Sequence, residues 1–385
     1  MFKLLKHGNV IVPPVSGPKD ILLCNGIIAA IDDSIQLAGW LPVEEYDLTG
    51  LHVLPGFLDQ HIHLIGGGGE AGFSTRTPEV NLADITRWGI TTVVGCLGTD
   101  GITRHLASLL AKVRALESEG ITAYMYSGSY GVPCIAITGS IGSDIVLIDK
   151  VIGAGEIAIS DHRSTCPSLE DLAKVAAESR VGGMIAGKAG IVHVHVGSGK
   201  KGLGPLLEVV QTTDIPIGQF VPTHVNRNPR ILEEASRWGR EGGHVDITSG
   251  LSARAGFEDA VKPAVAVRRL LEAGVPPKLV TMSSDGNGCM ALWDAKGNLQ
   301  RLLIASVESL YREFVDLVVG EGIPLDIAAS IVATNPARTL KMYPRKGSIQ
   351  AGSDADLVVL DKDYEIVQVW ARGRLMYSRR RASCA

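Results

Sequence analysis

The sequence predicts an α/β protein: a (β/α)8 TIM barrel with a small β-sandwich domain formed by the N- and C-terminal segments. Three observations carry this expectation. Eight short apolar runs recur through the middle of the chain. Helical stretches lie between several of them, which is the pattern of successive βα units. Strand-rich segments of similar character stand at the two ends, far apart in sequence but free to pair in space.

Residues 1–54 carry "NVIVPP", "DILLCNGIIAAID" and "YDLTGLHVLPG", short strands broken by turns. The expected barrel occupies residues 55–339. Its strands are "GFLDQHIHL", "TTVVGCLG", "TAYMYSGSY", "GEIAISD", "GIVHVHVG", "FVPTHVN", "HVDITSG" and "LVTMSSDG". Helices are expected in "ITRHLASLLAKVRALESEG", "SLEDLAKVAAESRVGGMIAG", "PRILEEASRWGREGG" and "FEDAVKPAVAVRRLLEAG". The link between strands three and four, "GVPCIAITGSIGSDIVLIDKVI", is the least regular stretch. Residues 340–385 return to strand character in "KGSIQAGSDADLVVLD" and "YEIVQVWARGRLMYS" and complete the small β domain with residues 1–54.

Bulk composition narrows the function classes. The 385 residues are 45% hydrophobic and 20% charged, with a net charge of −4, which gives no footing for nucleic acid or an anionic membrane. The N-terminal "MFKLLKHGNVIVPPVSG" is broken by His7, Gly8 and the Pro13–Pro14 pair, so it lacks the apolar core of a signal peptide. No run approaches the ~18 apolar residues of a membrane-spanning helix. The six cysteines (Cys24, Cys96, Cys134, Cys166, Cys289 and Cys384) are scattered without a CxxC pair and read as reduced thiols. A cytoplasmic location is expected.

In a barrel of this kind the active site forms at the C-terminal strand ends. Those ends carry His61, His63 and Glu70; Thr99; Tyr130; Glu156, Asp161, His162 and Arg163; His193 and His195; His224 and Arg227; and Asp285. Imidazoles and carboxylates converging on one mouth make a metal ligand set. His61 and His63 are one residue apart in a strand, so both point to the same face. His193 shares a face with His195 one step deeper and is expected to be a buried, hydrogen-bonded histidine. The "GGGGE" run after His63 reads either as a flexible loop or as backbone that must approach a ligand closely and hold Glu70 over the site.

These residues resemble the amidohydrolase superfamily in "PGFLDQHIHL", in single histidines after strands five and six, in the aspartate after strand eight and in "GSIQAGSDADLVVLD". More narrowly the chain resembles isoaspartyl (β-aspartyl) dipeptidases, through "HLIGGGGEAGFSTRTPEV", "VVGCLGTDGITRH", "AISDHRS", "PTHVNRN" and "SSDGNG". The resemblance implies two zinc ions, one on His61, His63 and Asp285 and the other on His195 and His224. It implies that Asp285 takes a proton from the attacking water and that Tyr130 donates to the scissile carbonyl. Glu70, with Thr99 beside it, is implied to bind the substrate's α-amino group, and Arg163 and Arg227 its carboxylates. The substrate is then a small dipeptide, and assembly as a homo-oligomer is expected.

Two positions depart from the pattern. The bridging carboxylated lysine of the family falls here on Glu156, in a segment that reads one residue longer than usual. Glu156 is expected to bridge two zincs, the rival being a one-metal site. Cys289, among the substrate-binding positions, stands where the family more often has serine. The leading expectation is metal-dependent hydrolysis of β-aspartyl dipeptides. The alternatives are another amidohydrolase reaction, such as N-acyl amino acid or cyclic amide hydrolysis, and a non-catalytic scaffold of the same fold.

Overall fold

A computed structural model of the chain describes residues 2–12, 15–293 and 299–379. The Pro13–Pro14 pair and Cys384 lie outside the described residues. Six parallel strands form one sheet in chain order: Phe57–Ile62, Ile90–Gly95, Thr122–Ser127, Val151–Ile159, Ile191–Val196 and Phe220–Thr223. A second parallel pair, Val245–Thr248 and Val280–Ser283, packs between the last and first of these. An isolated parallel bridge from Ile62 to Gly286 marks the closure. These are the eight strands read from the sequence, in the fold it predicts.

The strands are buried on both faces, as a closed parallel sheet wrapped in helices requires. Ile191, His193 and His195 alternate inward, so one strand contributes apolar filling and then polar groups as it rises towards the mouth. Outside, the helix Leu106–Glu119 buries Leu106, Leu109, Val113 and Leu116, the spacing of one helical face. The helix Leu169–Ala186 opens on a capping box between Ser168 and Asp171 and stops at Gly187, whose φ is +64°.

Two expected helices begin later than their apolar periodicity suggested. Residues 102–104 are not helical because Asp100 takes the backbone N–H groups of Ile102 and Thr103. "FEDAVK" is not helical either: Lys262, with ψ 133°, stands outside the helical region ahead of Pro263, and the helix is Pro263–Glu272. The irregular link holds one short helix, Ile141–Leu147, and Gly204–Thr212 forms a helix between strands five and six.

The terminal segments share one eight-stranded sheet. Its junction is Leu357–Leu360, which pairs antiparallel with His52–Pro55. Leu5, Val10, Ile21 and Val53 from the first segment meet Leu357, Val359 and Trp370 from the last in a core of their own. Among the described residues no helix is long and apolar enough to cross a membrane.

Candidate metal centre

The strand ends open into a cavity of about 870 Å³. At the strand ends His61 Nε2 lies 3.3 Å from Glu156 Oε2 and 3.5 Å from Asp285 Oδ1. His63 Nε2 lies 3.0 Å from Asp285 Oδ1 and 4.0 Å from Glu156 Oε2. The other oxygen of Glu156, Oε1, is 2.7 Å from His195 Nδ1 and 3.1 Å from His224 Nε2. Glu156 therefore turns one oxygen to each pair of histidines.

Its reach comes from the backbone. Strand five pairs with strand four as Ile191↔Gly153, Val192↔Ala154 and then Val194↔Ile157. Gly155 and Glu156 thus face the single residue His193. This is a β-bulge, which re-aims a side chain by inserting one extra residue. It absorbs the extra length visible in the sequence. Gly155 has φ +150°, and a Cβ there would stand 2.8 Å from the Cβ of His193, so glycine is required. His224 and Asp285 also depart from ordinary backbone, with φ of +62° and +52°. Non-glycine residues are uncommon in that left-handed region, and such departures cluster at functional sites.

Each of the four histidines has its second nitrogen occupied. His195 Nε2 meets Asp161 Oδ2 at 3.0 Å, and His224 Nδ1 meets Thr248 Oγ1 at 2.7 Å. His61 Nδ1 meets His193 Nε2 at 3.0 Å, and His63 Nδ1 meets Cys96 Sγ at 3.8 Å. These contacts aim the remaining nitrogens at Glu156 and Asp285. Metal-ligating histidines are held by this kind of outer contact.

The donor set fits a divalent cation. His61 Nε2 and Glu156 Oε2 are buried and make no hydrogen bond, although they face each other. Tetrahedral ligands with bonds of about 2.0–2.1 Å stand about 3.4 Å apart, close to the 3.0–4.0 Å spacings among His61, His63, Glu156 and Asp285. Two overlapping groups, His61–His63–Cys96–Glu156 and Glu156–His195–His224, are compact enough to hold a metal.

The cavity wall gathers the other residues singled out in the sequence. Glu70 Oε1 accepts from Thr99 Oγ1 at 2.9 Å and from Arg163 Nη1 at 3.2 Å. Asp161 holds Arg163 by two bonds of 2.9 Å. Arg227 donates through Nε to the carbonyl of Val196 at 3.1 Å. The Tyr130 hydroxyl is 2.8 Å from His195 Nδ1. Burial, with Glu156 nearby, pushes the Tyr130 pKa well above the usual phenol value, so it keeps its proton. Cys289 is half-buried, and burial together with Glu70 pushes its thiol up to about 11. It is a poor nucleophile at neutral pH.

The glycine run is backbone made for close approach. Gly66, Gly68 and Gly69 all have positive φ, and a Cβ at Gly66 would collide with the Thr77 carbonyl. The carbonyls of Gly67 and Gly68 are held by Arg104 at 2.7 and 3.0 Å. The loop is therefore pinned, and Glu70 lines the cavity beyond it.

The sequence places Asp161 at the mouth without showing that it holds His195 and Arg163, and it singles out neither Cys96 nor Thr248 for the site. Cys96 follows the second barrel strand, so the strand-end criterion that selected Thr99 could have selected it as well.

A parallel barrel with histidines and carboxylates clustered at its mouth defines a metal-dependent hydrolase of the amidohydrolase fold. The model of the Amidohydrolase family matches residues 244–376. A β-aspartyl dipeptidase from the thermophilic keratin-degrading Fervidobacterium islandicum AW-1, solved in complex with a β-Asp-Leu dipeptide, is 44% identical. That match has a TM-score of 0.91 and covers 98% of this chain and 97% of the other. Another structure of a β-aspartyl dipeptidase from that organism gives 42% and 0.88 with the same coverage. A dihydroorotase from Pelotomaculum thermopropionicum is 24% identical over 94% of this chain and 89% of its own length. The chain belongs to the β-aspartyl dipeptidase family of amidohydrolases.

Proposed function

We propose that this chain hydrolyses the β-aspartyl bond of dipeptides, using two zinc ions bridged by Glu156. The observation that carries the metal reading is the division of Glu156, with Oε2 towards His61 and His63 and Oε1 towards His195 and His224. Asp285 joins the first pair. Zinc bound there would lower the pKa of a water towards ~7 and polarise the scissile carbonyl.

The chain's own groups do the rest. An isoaspartyl linkage leaves the α-amino and α-carboxyl groups free beside the amide to be cut. Glu70 meets the ammonium, with Thr99 holding the carboxylate of Glu70 in line. Arg163 and Arg227 meet the substrate carboxylates through charge-assisted bonds. Substrate takes the place of the internal Glu70–Arg163 pair by offering each partner an opposite charge. Tyr130, a buried phenol, donates to the carbonyl oxygen as charge builds on it. Asp285 accepts the proton of the attacking water. Cys289 contributes packing beside Gly68 and at most a weak hydrogen bond.

The test is hydrolysis of β-Asp-Leu beside α-Asp-Leu, N-acetyl-Asp and dihydroorotate by zinc-reconstituted protein. Turnover confined to β-Asp-Leu supports the reading. Turnover of the cyclic amide or the N-acyl compound instead would move the chain to another amidohydrolase reaction.

A further inference from the structure

His193 has no part in the chemistry above, yet its Nε2 lies 3.0 Å from His61 Nδ1 and both rings are fully buried. The other three histidines of the centre rest on a carboxylate, a hydroxyl and a thiol. His61 alone rests on a second imidazole. That contact is more demanding, because a neutral imidazole has one N–H and one lone pair, and the position of one fixes the other. If His61 binds an ion through Nε2, its proton stands on Nδ1 and must be donated. His193 Nε2 must then accept it, and the proton of His193 must stand on its own Nδ1. In the reverse arrangement His61 would carry a proton on Nε2, the atom that faces Glu156 and Asp285.

We infer that His193 is a positioning residue: by accepting from His61 Nδ1 it locks His61 in the tautomer that binds metal. The inference rests on the reading of His61 as a metal ligand. The surroundings hold the ring in place for this task. Tyr126 stacks on His193 with centroids 5.2 Å apart and planes within 9°. The His193 ring stands at 88° to that of His61. The glycine at position 155 gives its backbone room beside the bulge. His193 Nδ1, where the inference puts the proton, is buried without a partner among the described residues. A buried donor left unpaired calls for a functional explanation, and enforcing one tautomer on a ligand supplies it.

Two variants separate acceptor chemistry from packing. His193→Gln offers a carbonyl oxygen near the position of Nε2, whereas His193→Phe keeps a ring against Tyr126 and removes the acceptor. Zinc affinity is measured by chelator competition, and the environment of the site by the visible spectrum of the cobalt-substituted protein. The Phe variant should bind zinc roughly 10–100-fold more weakly, with an altered cobalt spectrum. The Gln variant should stay close to wild type in both. Wild-type affinity in the Phe variant, or an equal loss in the Gln variant, overturns the inference.

Should the Phe variant fail to fold, nitrogen-15 spectra of histidine-labelled, zinc-loaded wild type decide. The signals of His193, assigned by their loss in the Gln variant, must show a protonated Nδ1 and a bare Nε2; the opposite tautomer overturns the inference. Whether His61 is a ligand is read separately, from the response of its Nε2 to zinc. None of these measurements depends on the dipeptide, so failure here and failure of the proposed activity are distinguishable.

Discussion

Asp161 and His195 are joined by a 3.0 Å hydrogen bond, and the same carboxylate grips Arg163 at two points. One side chain therefore orients both a histidine of the metal centre and an arginine of the cavity wall. Asp161→Asn keeps the shape and removes the charge that both partners use. We expect zinc affinity to fall about 10–100-fold, the usual cost of losing such an outer contact. KM for β-Asp-Leu should rise as well, because Arg163 loses its anchor. Metal analysis after dialysis and steady-state kinetics read the two effects separately. An unchanged metal content would mean that His195 is held without Asp161.

Glu156 carries its carboxylate in its own side chain, so the enzyme should need no dissolved CO₂. Activity after reconstitution in degassed, bicarbonate-free buffer should equal that with bicarbonate added. Glu156→Gln removes the charge shared between the histidine pairs while changing little in size. We expect fewer than two zinc ions per chain by metal analysis, and a loss of about 100-fold or more in kcat. Transition-state stabilisation from a bound metal is worth several kcal/mol, and each 1.36 kcal/mol is tenfold in rate. Full metal content with full activity in this variant would sink the bridging role.

Most of this architecture was legible because it repeats. Each barrel strand is an apolar run ending in a polar residue, and the strand-end rule selects Glu70, Tyr130, Arg163, His195 and Asp285, which all line one cavity. The length anomaly around Glu156 was legible too, as one residue too many. Its consequence was not, because pairing register belongs to two strands and a sequence states only one at a time. The outer contacts made by Cys96, Asp161 and Thr248 stayed hidden for a related reason. What they touch depends on which nitrogen of a histidine points where. The late start at Leu106 shows tertiary demand overriding periodicity, since Asp100 and Arg104 are used to pin the loops around the cavity.

Glu70 should decide whether a free amino group is required. Its carboxylate is already paired with Thr99 and Arg163, so it is held in position before substrate arrives. Glu70→Gln keeps the hydrogen-bonding capacity and loses the charge. Hydrogen bonds to charged groups are worth about 1.5–3 kcal/mol, so kcat/KM for β-Asp-Leu should drop about 10–100-fold. The preference for the free dipeptide over its N-acetylated form should shrink by a similar factor. A variant that keeps the full preference would remove Glu70 from amine recognition.

Away from the metal centre, Glu313 should make stability depend on pH in an unusual direction. Its Oε2 accepts the Ala264 N–H at 3.0 Å, at the start of the helix Pro263–Glu272. That hydrogen bond favours the ionised form, but burial outweighs it and lifts the carboxyl from 4.5 to about 7. Because the folded pKa is the higher one, the folded state binds more protons than the unfolded state between about pH 4.5 and 7. Stability from this group is therefore complete below that window and falls as pH rises through it. Glu313→Gln retains an acceptor for Ala264 and cannot ionise. Relative to wild type, the variant should gain about 1–3 kcal/mol on going from pH 5 to pH 8, a few degrees in Tm. Calorimetric melts of both proteins at the two pH values check this, and a gap that stays constant would mean that Glu313 is ionised throughout.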